Sequence, residues 1–65
     1  MNYSEKRKLR EASAMGESYV NGNISLVADF IGNSASKFIR VADYLETYGP
    51  HGSARDLANT IRRRG

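Results

Sequence analysis

His51, Ser53, Lys37, Arg40 and the arginines at 62 to 64 are the side chains of this 65-residue sequence most worth weighing for chemistry. His51 is the single histidine, set in the run Gly49-Pro50-His51-Gly52, and the chain has no cysteine. A zinc site needs several ligands at fixed spacings, so His51 predicts no metal centre. Ser53 stands two residues beyond His51, but nucleophilic catalysis also needs a third group that orients the base, and none follows. The spacing of Ser53 and Asp56 predicts a helix cap instead. Gly49 and Gly52 are not followed by the Lys-Ser/Thr pair that holds phosphate and magnesium. A chain this short also has little room for a pocket that excludes water. These residues predict a protein that is not an enzyme and takes no cofactor.

The cations carry more information. Formal net charge is +3 and the isoelectric point about 9.6. Residues 1–10 hold Lys6, Arg7, Lys8 and Arg10 against Glu5, a net of +3, and residues 53–65 hold Arg55, Arg62, Arg63 and Arg64 against Asp56, again +3. Between them Lys37 and Arg40 face Glu11, Glu17, Asp29, Asp43 and Glu46, a net of −3. Two basic ends flank a mildly acidic middle. Such ends either lie on phosphates or form solvated helix faces.

The elements that must position these side chains follow from the apolar spacing. Asn2 with Glu5 three residues on resembles a capping box, predicting a first helix from Tyr3 to about residue 20, with Leu9, Ala12, Met15, Tyr19 and Val20 as its apolar stripe. Gly16 marks a close crossing or a break, and Asn21-Gly22 stops the helix. Ile24–Ile31 is apolar except at Ser25 and Asp29, which suits a short buried helix or a buried strand. Gly32 as a stop and Asn23 or Ser25 as a cap favour the helix. Ser34 caps a third helix that runs to Tyr48 and closes at Gly49-Pro50. Its core face is Phe38, Val41, Ala42, Leu45 and Tyr48, with Ile39 and Tyr44 on the two flanks. A fourth helix follows the Ser53 cap, with Ala54, Leu57, Ala58 and Ile61 facing the core and Arg62, Arg63 and Arg64 meeting the negative end of its dipole. The prediction is an all-α fold, one domain over residues 1–65, forming a small bundle of about four helices.

A domain this size buries roughly 60% of its unfolded surface, which leaves a few kcal/mol of stability and favours self-association. The longest apolar run, Leu26–Ala28, is far too short to cross a bilayer, and the charged N-terminus has no apolar stretch behind it. A cytoplasmic location is the default expectation.

Ala28-x-x-x-Gly32, followed by Asn33-Ser34-Ala35-Ser36-Lys37-Phe38-Ile39-Arg40-Val41, resembles the helix-turn-helix unit of small phage and bacterial repressors, within residues 24–48. A small residue at 28 lets two helices cross, glycine at 32 takes a positive φ, and Ile31, Phe38 and Val41 lock the angle. The resemblance implies that the second helix enters the DNA major groove by its N-terminal end. Ser34, Ala35 and Ser36 would then begin the reading helix, Lys37 would lie near phosphate, and Arg40 would read guanine. Asn33 stands where the family usually has an aliphatic residue, and Asp43 shares a face with Arg40. Residues 24–48 carry Lys37 and Arg40 against Asp29, Asp43 and Glu46, a net of −1, so backbone contacts fall to the basic ends, above all Arg62, Arg63 and Arg64.

Two functions compete. One is a compact DNA-binding regulator of phage or plasmid type, a homodimer burying part of Ile39, Tyr44 and Tyr48. The other is a helical adaptor or inhibitor that binds a protein partner, with Tyr44 and Tyr48 as anchors, and does not bind DNA.

Overall fold

A computed structural model of the chain describes residues Tyr3–Arg64. The four helices are α1 (Tyr3–Val20), α2 (Ile24–Ile31), α3 (Ala35–Tyr48) and α4 (Ser53–Arg64), and the described residues include no strand. Residues 24–31, compatible in sequence with either helix or strand, are therefore helical, and the fold is a small all-α bundle. Asn2, the expected cap of α1, lies outside the described residues.

All four helices feed one core. Ala12 of α1, Val27 and Ile31 of α2, Val41 and Leu45 of α3 and Leu57 of α4 are buried together, with Met15, Tyr19, Phe30, Phe38, Tyr44, Ala54 and Ile61 packed around them. Helix α3 is the hub, packing on α1, α2 and α4, while α1 also packs on α2. Helices α1 and α3 come into close contact at Gly16. A Cβ there would overlap the Tyr44 ring, with Cε1 only 2.6 Å away, so the Tyr44 ring lies flush on the α1 backbone.

Local bonding explains where each helix stops. Helix α1 ends with the Asn23 amide donating to the Ser18 carbonyl (2.9 Å) and the Gly22 amide to the Tyr19 carbonyl (3.0 Å), the paired bonds of a Schellman motif, with Gly22 at φ 93°. After α2, Gly32 takes φ 52° and its amide donates to the Ala28 carbonyl (2.9 Å). The positive φ expected at Gly32 is present. Ser34 caps α3, its hydroxyl oxygen accepting from the Lys37 amide at 3.3 Å. Gly49 closes α3 at φ −87° and ψ 173°, an extended conformation, because the following Pro50 disfavours a helical or turned residue before it.

Several expectations are corrected. Ser53 does not cap α4. It is the first helical residue and is buried, and its hydroxyl donates to the Pro50 carbonyl at 2.7 Å, while the Gly52 carbonyl accepts from the Asp56 amide at 3.0 Å. Asn23 precedes α2 without making a side-chain cap bond. Helix α2 is amphipathic and only partly buried: Val27, Ala28 and Ile31 are covered, but Leu26 is 52% exposed and Ile24 is exposed too. Leu9 and Val20, placed by spacing on the core stripe of α1, lie at its exposed margin. Tyr48, expected on the core face of α3, is 74% exposed, because Gly16 makes room for the Tyr44 ring instead.

Candidate nucleic-acid interface

The start of α3 is where charged side chains from separate parts of the chain come together. Helix α2, the turn at residues 32–34 and α3 run consecutively, and the Ser34 amide donates to the Ile31 carbonyl (2.9 Å) to tighten the turn. Beside this turn lies an open cleft of about 280 Å³ between α1 and α3. Its wall on the α3 side is Ser34, Ser36, Lys37 and Arg40, with Phe30 of α2 below and Arg7, Lys8, Glu11 and Ala12 of α1 opposite. Four cations thus border the cleft against one carboxylate, Glu11. Arg7 lies 3.8 Å from Glu11 in an exposed pair one turn apart, which neutralises little in solvent. The first turn of α3 adds the positive end of its dipole on the same side.

The polar groups at this turn have defined partners. Ser34 uses its hydroxyl as the α3 cap and approaches the Ser36 hydroxyl at 3.3 Å. Lys37 reaches back across the turn: its Nζ donates to the Phe30 carbonyl at 3.3 Å and stands 4.8 Å from the centre of the Phe30 ring. That cation–π and carbonyl contact fastens α3 to α2 and holds the ammonium near the cleft mouth. Arg40, one turn further along α3, lines both this cleft and the groove that continues from it, where Asp43 is also found.

The C-terminal end of α4 arrives on the other side of the same turn. Arg64 Nη2 donates to Asp29 Oδ1 at 2.6 Å, an ion pair with both side chains at least half exposed. A shallow hollow of about 260 Å³ between them is lined by Ala28, Asp29, Gly32, Asn33, Ile61 and Arg64. Arg62 and Arg63 are exposed in the same last turn of α4. The two basic ends, separated by most of the chain, therefore flank one helix–turn–helix. Arg64 is engaged by Asp29, so the three arginines are not equivalent.

Arg7 and Lys8 were not singled out by the sequence as part of this site. The signal was present: Lys8 stands one turn before Ala12, and a small apolar residue that enters the core brings the residue four positions earlier to the core's rim. Of the side chains expected to contact a partner by apolar surface, Ile39 is 56% exposed and Tyr48 is largely exposed, while Tyr44 is half-buried on Gly16. Ile39 and Tyr44 are five residues apart, roughly 140° around the helix, so they do not share a patch. The Tyr44 and Tyr48 ring centres are 5.0 Å apart and tilted by 39°.

His51 is exposed in the turn between α3 and α4, and the Ser53 hydroxyl is committed to the Pro50 carbonyl. Among the described residues no group of three or more His, Cys, Asp or Glu is placed to hold a metal ion, and no helix is long and apolar enough to cross a membrane. Burial raises the pKa of the Tyr19 phenol above the ordinary 10.0, opposed by a hydrogen bond with Thr60 and aided by the Asp56 charge. Comparison with protein-family models, curated proteins and solved structures gives no match.

Proposed function

We propose that the chain is a small DNA-binding protein of the helix-turn-helix kind, acting as a transcriptional regulator of phage or plasmid type. One observation carries this reading: Arg7 and Lys8 of α1 stand across a cleft from Lys37 and Arg40 at the start of α3, with Arg62 and Arg63 beyond the turn. Taken alone, residues 24–48 are slightly acidic, which speaks against phosphate binding. The folded arrangement supplies from α1 and α4 the charge that the reading segment lacks. Affinity for a duplex depends mainly on phosphates neutralised, and specificity on side chains that reach base edges. Lys37, Arg7 and Lys8 suit the first task. Arg40 suits the second, since a bidentate arginine–guanine pair discriminates by about 1–3 kcal/mol.

The test is fluorescence anisotropy on a random duplex, followed by selection of preferred sequences. Micromolar, salt-sensitive binding by the intact chain is expected, with Arg40→Ala binding random duplex nearly as well but losing preference among the selected sequences. Failure to bind any duplex at 50 mM salt and 100 µM protein rejects the reading. The second reading, a helical module that binds a protein and no DNA, is favoured by the exposed Ile39 and Tyr48. It predicts that Ile39→Glu or Tyr48→Glu matters and that Arg40→Ala does not.

A further inference from the structure

We infer that Ile39 determines sequence preference by apolar contact with the methyl group of a thymine in the major groove, so that the DNA this chain prefers carries thymine near the guanine read by Arg40. The inference deepens the DNA-binding reading and rests on it. Helix α3 packs on α1, α2 and α4, yet one face of it stays open. Ala35, Ser36, Ile39, Asp43 and Glu46 are exposed along that face, while Val41 and Leu45 are buried on the opposite one. Ile39 stands two residues before Val41, about 160° from it around the helix, and is 56% exposed.

Nothing in folding accounts for isoleucine at this position. Its side chain belongs neither to the buried core nor to the apolar residues packed against that core. A β-branched residue on an exposed helix face gives up rotamer freedom and leaves apolar surface in water. An alanine or a lysine would serve the helix better.

The surroundings of Ile39 select what it meets. Lys37 and Arg40 lie on its α1 side, with Arg7 and Lys8 across the cleft, and Arg62 and Arg63 are exposed beyond the turn, at the end of α4. A duplex offers the matching cross-section, two rows of phosphate with base edges between them, in a major groove roughly 12 Å wide that admits one helix. On those edges the thymine C5-methyl is the apolar group. The charge along α3 also sets how it enters. No carboxylate precedes Asp43 on this helix, and Asp43 and Glu46 follow Ile39 by four and seven residues, about 6 and 10 Å further along. A protein segment laid along the whole face would cover cations and carboxylates alike. A groove entered by the first turns of α3 meets Ser36, Lys37, Ile39 and Arg40 and leaves both carboxylates behind.

Uracil provides the test, because it keeps the hydrogen-bonding groups of thymine and lacks only the methyl. A duplex selected by the parent chain from a random pool is remade with deoxyuridine at one thymine at a time, and binding is read by fluorescence anisotropy. At one thymine for each bound α3 the parent should lose about fourfold in affinity, the worth of one buried methyl group. Ile39→Ala should bind the thymine duplex more weakly than the parent and be indifferent to uracil at that position, with unchanged helical circular dichroism. Arg40→Ala should retain the uracil penalty. Selected duplexes that share no thymine, parent binding unchanged by uracil at every position, or an equal uracil penalty in the parent and Ile39→Ala overturns the inference and leaves the DNA-binding reading standing. A parent chain that binds no duplex rejects that reading and this inference with it.

Discussion

Gly16 shows how one missing side chain arranges a face of the molecule. With no Cβ at this position, the Tyr44 ring lies on the α1 backbone, and Tyr48 is left outside to stand against it. Gly16→Ala gains helix propensity of about 1 kcal/mol but must displace that ring, an overpacking cost of roughly 1–3 kcal/mol. The variant should unfold at lower urea than the parent, and adding Tyr44→Ala should reverse the sign of the alanine's effect. An alanine at 16 that stabilises the chain while Tyr44 is intact would contradict the packing. Asp29 is a second single-residue test. Its exposed pair with Arg64 contributes at most about 1 kcal/mol to stability, but it withholds a cation from the turn. Asp29→Asn should leave the melting temperature nearly unchanged and tighten binding to random duplex DNA, and equal or weaker binding would argue against phosphates at this turn.

The helix-turn-helix is held by contacts of two kinds, one readable in the sequence and one hidden from it. Gly32 was readable, because a glycine after an apolar run and before a serine cap has few other uses. At φ 52° and ψ −122° its backbone suits no residue with a Cβ, so Gly32→Ala should cost on the order of 1–3 kcal/mol and loosen α3 against α2. Urea titration gives the first effect, and hydrogen exchange at Phe38 and Val41 gives the second. The reach of Lys37 across to the Phe30 carbonyl and ring was not readable, since seven residues and a turn separate them and only the folded angle makes them neighbours. Helix lengths and stops followed from apolar spacing and from the glycines at 22, 32 and 49, whereas of the expected caps only Ser34 makes its bond among the described residues. What spacing misjudged was the outcome of competition for the core. Tyr44 and Tyr48 border the same apolar face, and the space left at Gly16 decides which one packs. Ser53 misled for a related reason: its hydroxyl donates to the Pro50 carbonyl, and the Asp56 amide it was expected to cap donates to the Gly52 carbonyl instead. Tyr19, where α1 meets α4, carries a pH signature. Burial favours its neutral phenol, so its contribution to stability is fully present below the ordinary pKa of 10.0 and is lost as pH rises through the higher folded value. Between pH 9 and 11.5 the melting temperature of the parent should fall more steeply than that of Tyr19→Phe, and parallel curves would show that this phenol is not held neutral.

For the whole molecule, net charge and fold class were accessible from residue order, but the distribution of charge in space was not. Two basic ends either side of an acidic middle suit phosphate contacts or solvated helix faces, and nothing in residue order says where they meet. The bundle folds them to opposite sides of the same turn, α1 through the buried Ala12 and α4 through Leu57 and Ile61. Leu57, fully buried, is what seats α4 against α3, and Leu57→Ala removes about 2–5 kcal/mol from a domain that has only a few to spare. The variant should be largely unfolded at 25 °C by circular dichroism and should lose duplex binding with its structure. On the proposed function, Arg7 and Lys8 of α1 complete a phosphate-binding surface around the start of α3, and the salt dependence of duplex binding tests this most directly. Each phosphate contact contributes about 0.9 to the slope of log K against log salt. Arg7→Ala combined with Lys8→Ala should therefore flatten the slope by about 2 at unchanged helical content, whereas a slope identical to that of the parent chain would contradict it.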